Sequence, residues 1–294
     1  MEYFLHILIL INIYIIIALS LNLIAGYTGL LSLAHAAFYG IGAYAMALMW
    51  LYLGTGFWVN IWMGILFSAL LGVIIAYPSL RIYDDYFAIA TFGFQMIVFS
   101  IFNNWVDFTK GPLGIPGIPS PSLFGYSINS HVGYFFLSLF FVFITFWIIK
   151  RLVDSPFGLV LKGIREDEVF TKAAGKNVTK YKIWVFVIGG ALASIAGALY
   201  AVYISYIDPT SFTINESIFM ISIVIIGGMA SLRGSILGAV VLVILPEALR
   251  FIGLPNSVAA NLRQIFYGVL LVLFMMYRPR GFLGEYKLGE NGKS

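Results

Sequence analysis

A bundle of membrane-spanning α-helices is the fold this sequence predicts, and three observations predict it. Hydrophobic residues make up 61% of the 294 positions, charged residues only 10%, and the mean hydropathy is +0.96; soluble domains carry about a quarter charged residues. Stretches such as Phe4 to Leu23, Phe57 to Tyr77 and Ile183 to Tyr203 stay predominantly apolar for about 20 residues, the length at which a helix crosses a hydrocarbon core roughly 30 Å thick. A transmembrane barrel would show alternating segments of about ten residues instead. The chain therefore reads as one all-α, polytopic domain over residues 1–294.

The first apolar segment, residues 4–25, has no basic residue before it, exceeds the apolar length of a secretion signal and lacks a small-residue cleavage site, so it is expected to be a helix of the protein. Further segments fall at 30–53, 57–80, 86–102, 133–149, 183–205, 217–232, 235–250 and 264–277. That gives about nine spans, with eight to ten compatible, because the glycine-rich stretches suit half-helices or re-entrant pieces. Basic residues orient them. With the 150–182 connection in the cytoplasm and the others alternating, 14 of the 17 Lys and Arg lie inside and only Lys110, Arg250 and Arg263 outside, as the positive-inside rule requires. The amino terminus is then outside and the carboxy terminus inside.

Two connections are more than turns. Residues 103–130 contain KGPLGIPGIPSPS, whose four prolines and three glycines preclude a regular helix and favour ordered turns; a lid over the bundle and a docking surface for a soluble partner both fit. Residues 154–182, DSPFGLVLKGIREDEVFTKAAGKNVTKYK, hold eight basic residues when Lys150 and Arg151 are included. Ser155-Pro156 is a helix-start signal and Gly175 a stop, which predicts a helix over about 156–174 outside the bilayer. On it Arg165, Glu168 and Lys172 share one face, with Glu168 and Lys172 in the favourable i, i+4 order, while Val169, Phe170, Ala173 and Ala174 point elsewhere. Mixed charge on one face suits a protein groove better than an anionic lipid surface.

Cysteine is absent and the three histidines, His6, His35 and His131, are far apart, so neither disulfides nor a metal site are expected. A membrane enzyme would want an acid, base or metal set clustered at one face, and the sequence offers none. No nucleic-acid partner is expected.

Four blocks together resemble a known family: GYTGLLSLAHAAFYGIGAYA at 26–45; GIREDEVFTKAAGKNVTKYK leading into a helix with GGALASIAGALYA; GGMASLRGSILGAVVLVILPEALR; and the outer loop TKGPLGIPGIP. They look like the signature blocks of LivM-type permeases, the membrane subunits of bacterial ABC importers for branched-chain amino acids, in the right order over nearly the whole chain. The resemblance implies one half of a translocation pore in a bacterial or archaeal cytoplasmic membrane. Its implied partners are a second homologous permease, two ATP-binding subunits and an external binding protein that delivers a small amino acid. Similar permeases carry urea or short amides, and that alternative stays open. No G-x-x-x-x-G-K-[ST] loop occurs, since Gly175-Lys176 and Gly292-Lys293 lack the earlier glycine; ATP is expected to be used by partner subunits, with no cofactor on this chain. A stand-alone secondary transporter would want a conspicuous intramembrane carboxylate, which the sequence does not display.

The 154–182 loop is implied by the resemblance to couple the ATPase to the pore. Related loops carry Glu-Ala-Ala and a following glycine. Here Lys172-Ala173-Ala174-Gly175 stands in that place, with lysine at the acidic position, so the acidic role is expected to pass to Glu166, Asp167 or Glu168, with Arg165 beside them. For the substrate path the candidates are Asn22, Gly26, Thr28, Gly29, Ser32 and His35 around the first glycine block, and Thr91 and Gln95 one helical turn apart in the fourth segment. Each has a plainer reading as an interhelix hydrogen bond or a close helix contact, and His35 lacks the carboxylate a proton carrier would use. Gly29-x-x-Ser32-Leu33 recurs as Gly228-x-x-Ser231-Leu232, each before a segment running from inside to outside, which hints at a parallel repeat. Glu216 opens the seventh segment, and Glu247 beside Pro246, with Arg250 one turn on, suits an i, i+3 ion pair.

Overall fold

Apolarity on every side of a helix means burial on every side, and α1 (Glu2–Thr28) shows it: from Ile11 to Thr28 every residue except Tyr14 is buried. A computed structural model describes residues 2–79, 84–123 and 126–250, and beyond them 268–269, 272–274, 276–277 and 281–284. Against α1 pack α6 (His131–Val153), α9 (Val178–Ile204), α10 (Ile214–Gly227) and α11 (Leu232–Arg250), while α2 (His35–Leu53) and α3 (Phe57–Ser79) pack on α9, and α4 (Asp84–Asn104) on α2 and α3. The short α5 (Val106–Thr109) belongs to the long loop, and α7 (Pro156–Glu166) and α8 (Glu168–Ala173) make up the other connection. Among the described residues six helices, α1, α2, α3, α4, α6 and α9, are long and apolar enough to span a bilayer, and α10 and the start of α11 are shorter apolar helices. Segment 264–277 lies largely outside the described residues, as do the side chains of Pro246, Glu247 and Arg250.

The second central helix is α9, packed against α1, α2 and α3. Its contact with α2 is made by glycines on both sides. A Cβ at Gly42 would lie 2.0 Å from the Ser194 carbonyl oxygen, and one at Gly197 would lie 1.8 Å from that of Tyr39. Only glycine permits backbones this close. In contrast, α3, α4 and α6 present large apolar side chains outward, among them Trp62, Ile74, Ile89, Ile97, Phe136 and Phe143. In water such a surface would be a vast hydrophobic patch; on membrane spans it is the face toward lipid.

The proline-rich loop is ordered by pairing. Strand β1 (Ile115–Pro116) runs antiparallel to β4 (Tyr206–Ile207), which follows α9, and β2 (Ser122–Leu123) pairs with β3 (Tyr126–Ser127). Gly117 and Ile118 donate backbone N–H bonds to the Ser205 carbonyl, and Ile115 and Ile118 are buried. This anchors one half of the loop to the end of α9, while Leu113 stays exposed.

The expected helix over 156–174 is two helices. Asp167 adopts an extended conformation, with φ −154° and ψ 104°, and its carboxylate accepts the Phe170 N–H at 2.9 Å. A short acidic side chain that caps a new helix competes with continuation of the old one, so α7 stops at Glu166 and α8 starts at Glu168. The start at Pro156 matches its signal, although the Ser155 hydroxyl donates back to the Leu152 carbonyl instead of capping. Gly175, at φ 78°, follows α8. Asn177 then caps α9 through the Lys180 N–H.

Candidate functional site

Helix α1 ends at Thr28, and Gly29, at φ 75°, turns the chain in a conformation that costs glycine little. Residues 29–34 are not helical, and α2 begins at His35, where the expected segment 30–53 had placed helix five residues earlier. The His35 Nε2 lies 2.8 Å from the Ser20 hydroxyl. Ser20 is eight residues back along α1 from its end, about 12 Å at 1.5 Å per residue, so residues 29–34 dip back into the bundle.

The start of α2 has no capping side chain of its own, because Ala34 stands at the cap. Its backbone donors are met by other helices: Ala36 N–H by the Ser217 hydroxyl of α10 at 3.0 Å and Leu33 N–H by Thr91 of α4 at 3.0 Å. Ser217 was not among the sequence candidates, and its only signal is the missing cap 181 residues away. The matching loop at 228–231 is held the same way from α1. Asn22 donates to the Ser231 carbonyl at 3.0 Å and the Ser235 hydroxyl at 2.7 Å, and accepts the Ala230 N–H at 2.9 Å. The two Gly-x-x-Ser-Leu sequences thus serve equivalent turns. Gly228, like Gly29, has positive φ at a helix end, and each serine hydroxyl accepts a backbone N–H two or three residues on.

Of the eight residues expected along a substrate path, only Gly29 is exposed. Asn22 and Thr28 are committed to the helices around them, Asn22 as above and Thr28 through the Ile24 carbonyl. Ser32 accepts the Ala34 N–H, and the Gly26 carbonyl accepts from Arg165. His35, Thr91 and Gln95 come from α2 and α4, elements that pack together. Gln95 donates to the Phe212 carbonyl at 2.7 Å, while Gln95 Oε1 and His35 Nδ1 have no hydrogen-bond partner among the described residues. Phe38 packs on both His35 and Phe94. Gln95 Oε1 and His35 Nδ1 are both fully buried. Glu216 stands in the first turn of α10, at the opening of its segment as expected, and accepts a 2.6 Å bond from Tyr14 in the middle of α1.

The second locus is the α7–α8 pair. Arg165 is 10% exposed; its Nη1 donates to the Gly26 carbonyl at 2.8 Å and its Nη2 pairs with Glu166 at 2.9 Å. Gly29 lies against the same side chain. Glu168 binds Lys172 at 2.7 Å and Lys182 of α9 at 2.6 Å. Burial opposes ionisation of Glu168, but the two ammonium groups outweigh it and hold its carboxyl below its ordinary range.

The charged face expected on one helix is therefore divided at Asp167. Arg165 turns to α1 and Glu168 to α9. Leu159, Val169 and Phe170 are each more than 70% exposed and point outward beside the exposed charges of Glu166, Asp167 and Lys172. Between α7 and α8 lies a groove of about 510 Å³ that Leu159, Val160, Phe170 and Ala174 help to line. Ala173, Ala174 and Gly175 are exposed beside it.

Residues 3–275 match the family model described as the branched-chain amino acid transport system / permease component. The chain belongs to that family. It is 37% identical to the high-affinity branched-chain amino acid transport system permease protein LivM of Salmonella typhimurium, over 92% of this chain and 68% of that protein. The probable branched-chain amino acid transport permease protein LivM of Methanocaldococcus jannaschii is 28% identical, with 95% of this chain and 92% of the relative covered. The permease protein LivH of the high-affinity system of Escherichia coli is 26% identical over 92% of this chain and 91% of its own. No solved structure matches. As a permease of this family with several apolar helices, the chain is a multi-pass membrane protein and a transport component. Membership rests on the whole length of the chain, so the two turns held by Asn22 and Ser217 and the split α7–α8 connection are features of a permease.

Proposed function

We propose that this permease forms half of the translocation path of an ATP-driven importer for leucine, isoleucine, valine or related amino acids. The named systems of its relatives support the substrate class. Similarity to both LivM and LivH supports a pore built with a second, homologous permease. Two ATP-binding subunits supply energy and an external binding protein delivers the amino acid. The observation that carries the coupling role is the outward apolar surface of Leu159, Val169 and Phe170 on helices whose Arg165 and Glu168 side chains are turned to α1 and α9. Exposed aromatic and aliphatic side chains beside a groove suit the anchor positions of a protein interface.

A Val169→Asp/Phe170→Asp double variant tests this. Both side chains already lie in water, so the abundance of the permease should not change. Two apolar anchors lost at about 2 kcal/mol each should lower ATPase co-purification and amino acid uptake by more than 100-fold. Normal uptake with normal co-purification overturns the assignment.

Topology follows the basic residues. In this cysteine-free chain, single cysteines at Lys162 and Ser120 should label with opposite sidedness, position 120 from outside intact cells and position 162 only after permeabilisation. Labelling of position 162 from outside would invert the orientation of the permease.

A further inference from the structure

We propose that the groove at the start of α9 holds the headgroup and glycerol of one anionic phospholipid. The groove encloses about 490 Å³ between Phe157 of α7 and Lys176, Lys180, Tyr181, Trp184 and Ile188. Positions 177, 180, 181, 184 and 188 recur every three or four residues, so they form one stripe along α9. From Lys180 to Ile188 the stripe runs about 12 Å. It passes from two ammonium groups, through two aromatic side chains, to an aliphatic one. A phospholipid has the same order of chemistry: phosphate, glycerol ester, acyl chain.

Charge and location select this occupant. Lys172 and Lys182, on either side in sequence, are paired with Glu168. Lys176 and Lys180 are exposed and have no acidic partner among the described residues. Trp184 is 52% exposed although it already lies in the apolar span, as aromatic side chains do at a membrane interface. Phe157 and Tyr181 pack at a tilt with ring centres 5.2 Å apart and close the groove on the α7 side. A soluble protein docked on α7 and α8 from the water would cover the lysines and leave Trp184 and Ile188 untouched. Basic pockets between helices at a membrane face have the chemistry that binds anionic headgroups.

The test is native mass spectrometry of the full-length permease in mild detergent, titrated with phosphatidylglycerol or with zwitterionic phosphatidylcholine. One phosphatidylglycerol should be retained in preference to phosphatidylcholine. Lys176→Gln/Lys180→Gln should weaken that retention about 30-fold, the effect of two interfacial lysines. Lys150→Gln/Arg151→Gln, the same loss of charge at the end of α6, should leave it intact. Equal loss in both double variants would show a general charge effect and overturn the site. Displacement of the lipid by millimolar inorganic phosphate would reduce it to a free-phosphate site. Retained lipid with loss of co-purifying ATP-binding protein from the Lys176/Lys180 variant would assign the groove to a protein partner, and the proposal would fail.

Discussion

A Gly197→Val variant should not accumulate as folded protein in the membrane. The first added carbon would sit 1.8 Å from the Tyr39 carbonyl oxygen and 2.9 Å from the Ala43 nitrogen, and both are backbone atoms of α2. No rotamer change relieves such a clash, so the helices must part. Parting them also breaks the contact of Tyr39 with Tyr200 of α9, rings 5.5 Å apart, that lies in the same interface. The expected cost exceeds the range of about 1–3 kcal/mol for ordinary overpacking and reaches the exceptional class of about 4–5 kcal/mol or more. Membrane abundance and a monodisperse peak in detergent are the readouts. Gly93→Ala is the control, because nothing lies within 4 Å of its added carbon. A Gly197→Val protein with normal abundance and elution would show that α2 and α9 do not touch as described.

Arg165→Leu should separate ATP hydrolysis from uptake. The guanidinium is a direct polar link from α7 to the C-terminal end of α1, through the Gly26 carbonyl, and a bond from a charged donor contributes about 1.5–3 kcal/mol. With that link gone, α7 can move without carrying α1. Uptake in proteoliposomes loaded with the ATP-binding partners should fall about 10- to 100-fold, while permease abundance and co-purification stay near normal. Hydrolysis should continue, so that ATP consumed per amino acid rises. An unchanged ratio of hydrolysis to transport would remove Arg165 from the coupling path. A double charge reversal of Arg165 and Glu168, attractive from the sequence because helical periodicity puts both on one face, is a poorer experiment. It would also break the Glu168 to Lys182 tie that docks α8 on α9.

The parts of this fold that were legible in the sequence are those set by local composition. Helices α1, α3, α6 and α9 follow their apolar stretches closely, and Pro156 and Gly175 mark where the connecting helices begin and end. Inside that connection, Asp167 was read as one more acid in a run of three, because propensity does not distinguish a charge on a helix from a charge that caps the next one. The candidate path residues were chosen as polar groups in apolar surroundings, and the structure gives most of them partners. Those partners were out of reach of any local rule: Asn22 meets Ala230 at a separation of 208 residues, and Arg165 meets Gly26 at 139. The exposed Val169 and Phe170 were placed off the charged face correctly. Their exposure was not legible because an apolar residue in an amphipathic helix is ordinarily the buried one.

The reciprocal glycine contacts between α2 and α9 also limit how this permease can move. Each backbone meets the other at two places, Gly42 against Ser194 and Gly197 against Tyr39, so a slide or roll of one helix on the other drives main chain into main chain at one of them. The pair behaves as a single rigid body. With Lys182 near the start of α9 bound to Glu168 of α8, a displacement of α8 is passed to that body as a whole. The mobile seams must then be those where side chains rather than backbones meet, between this body and α4 and α10, where His35 of α2, Gln95 of α4 and Ser217 of α10 lie.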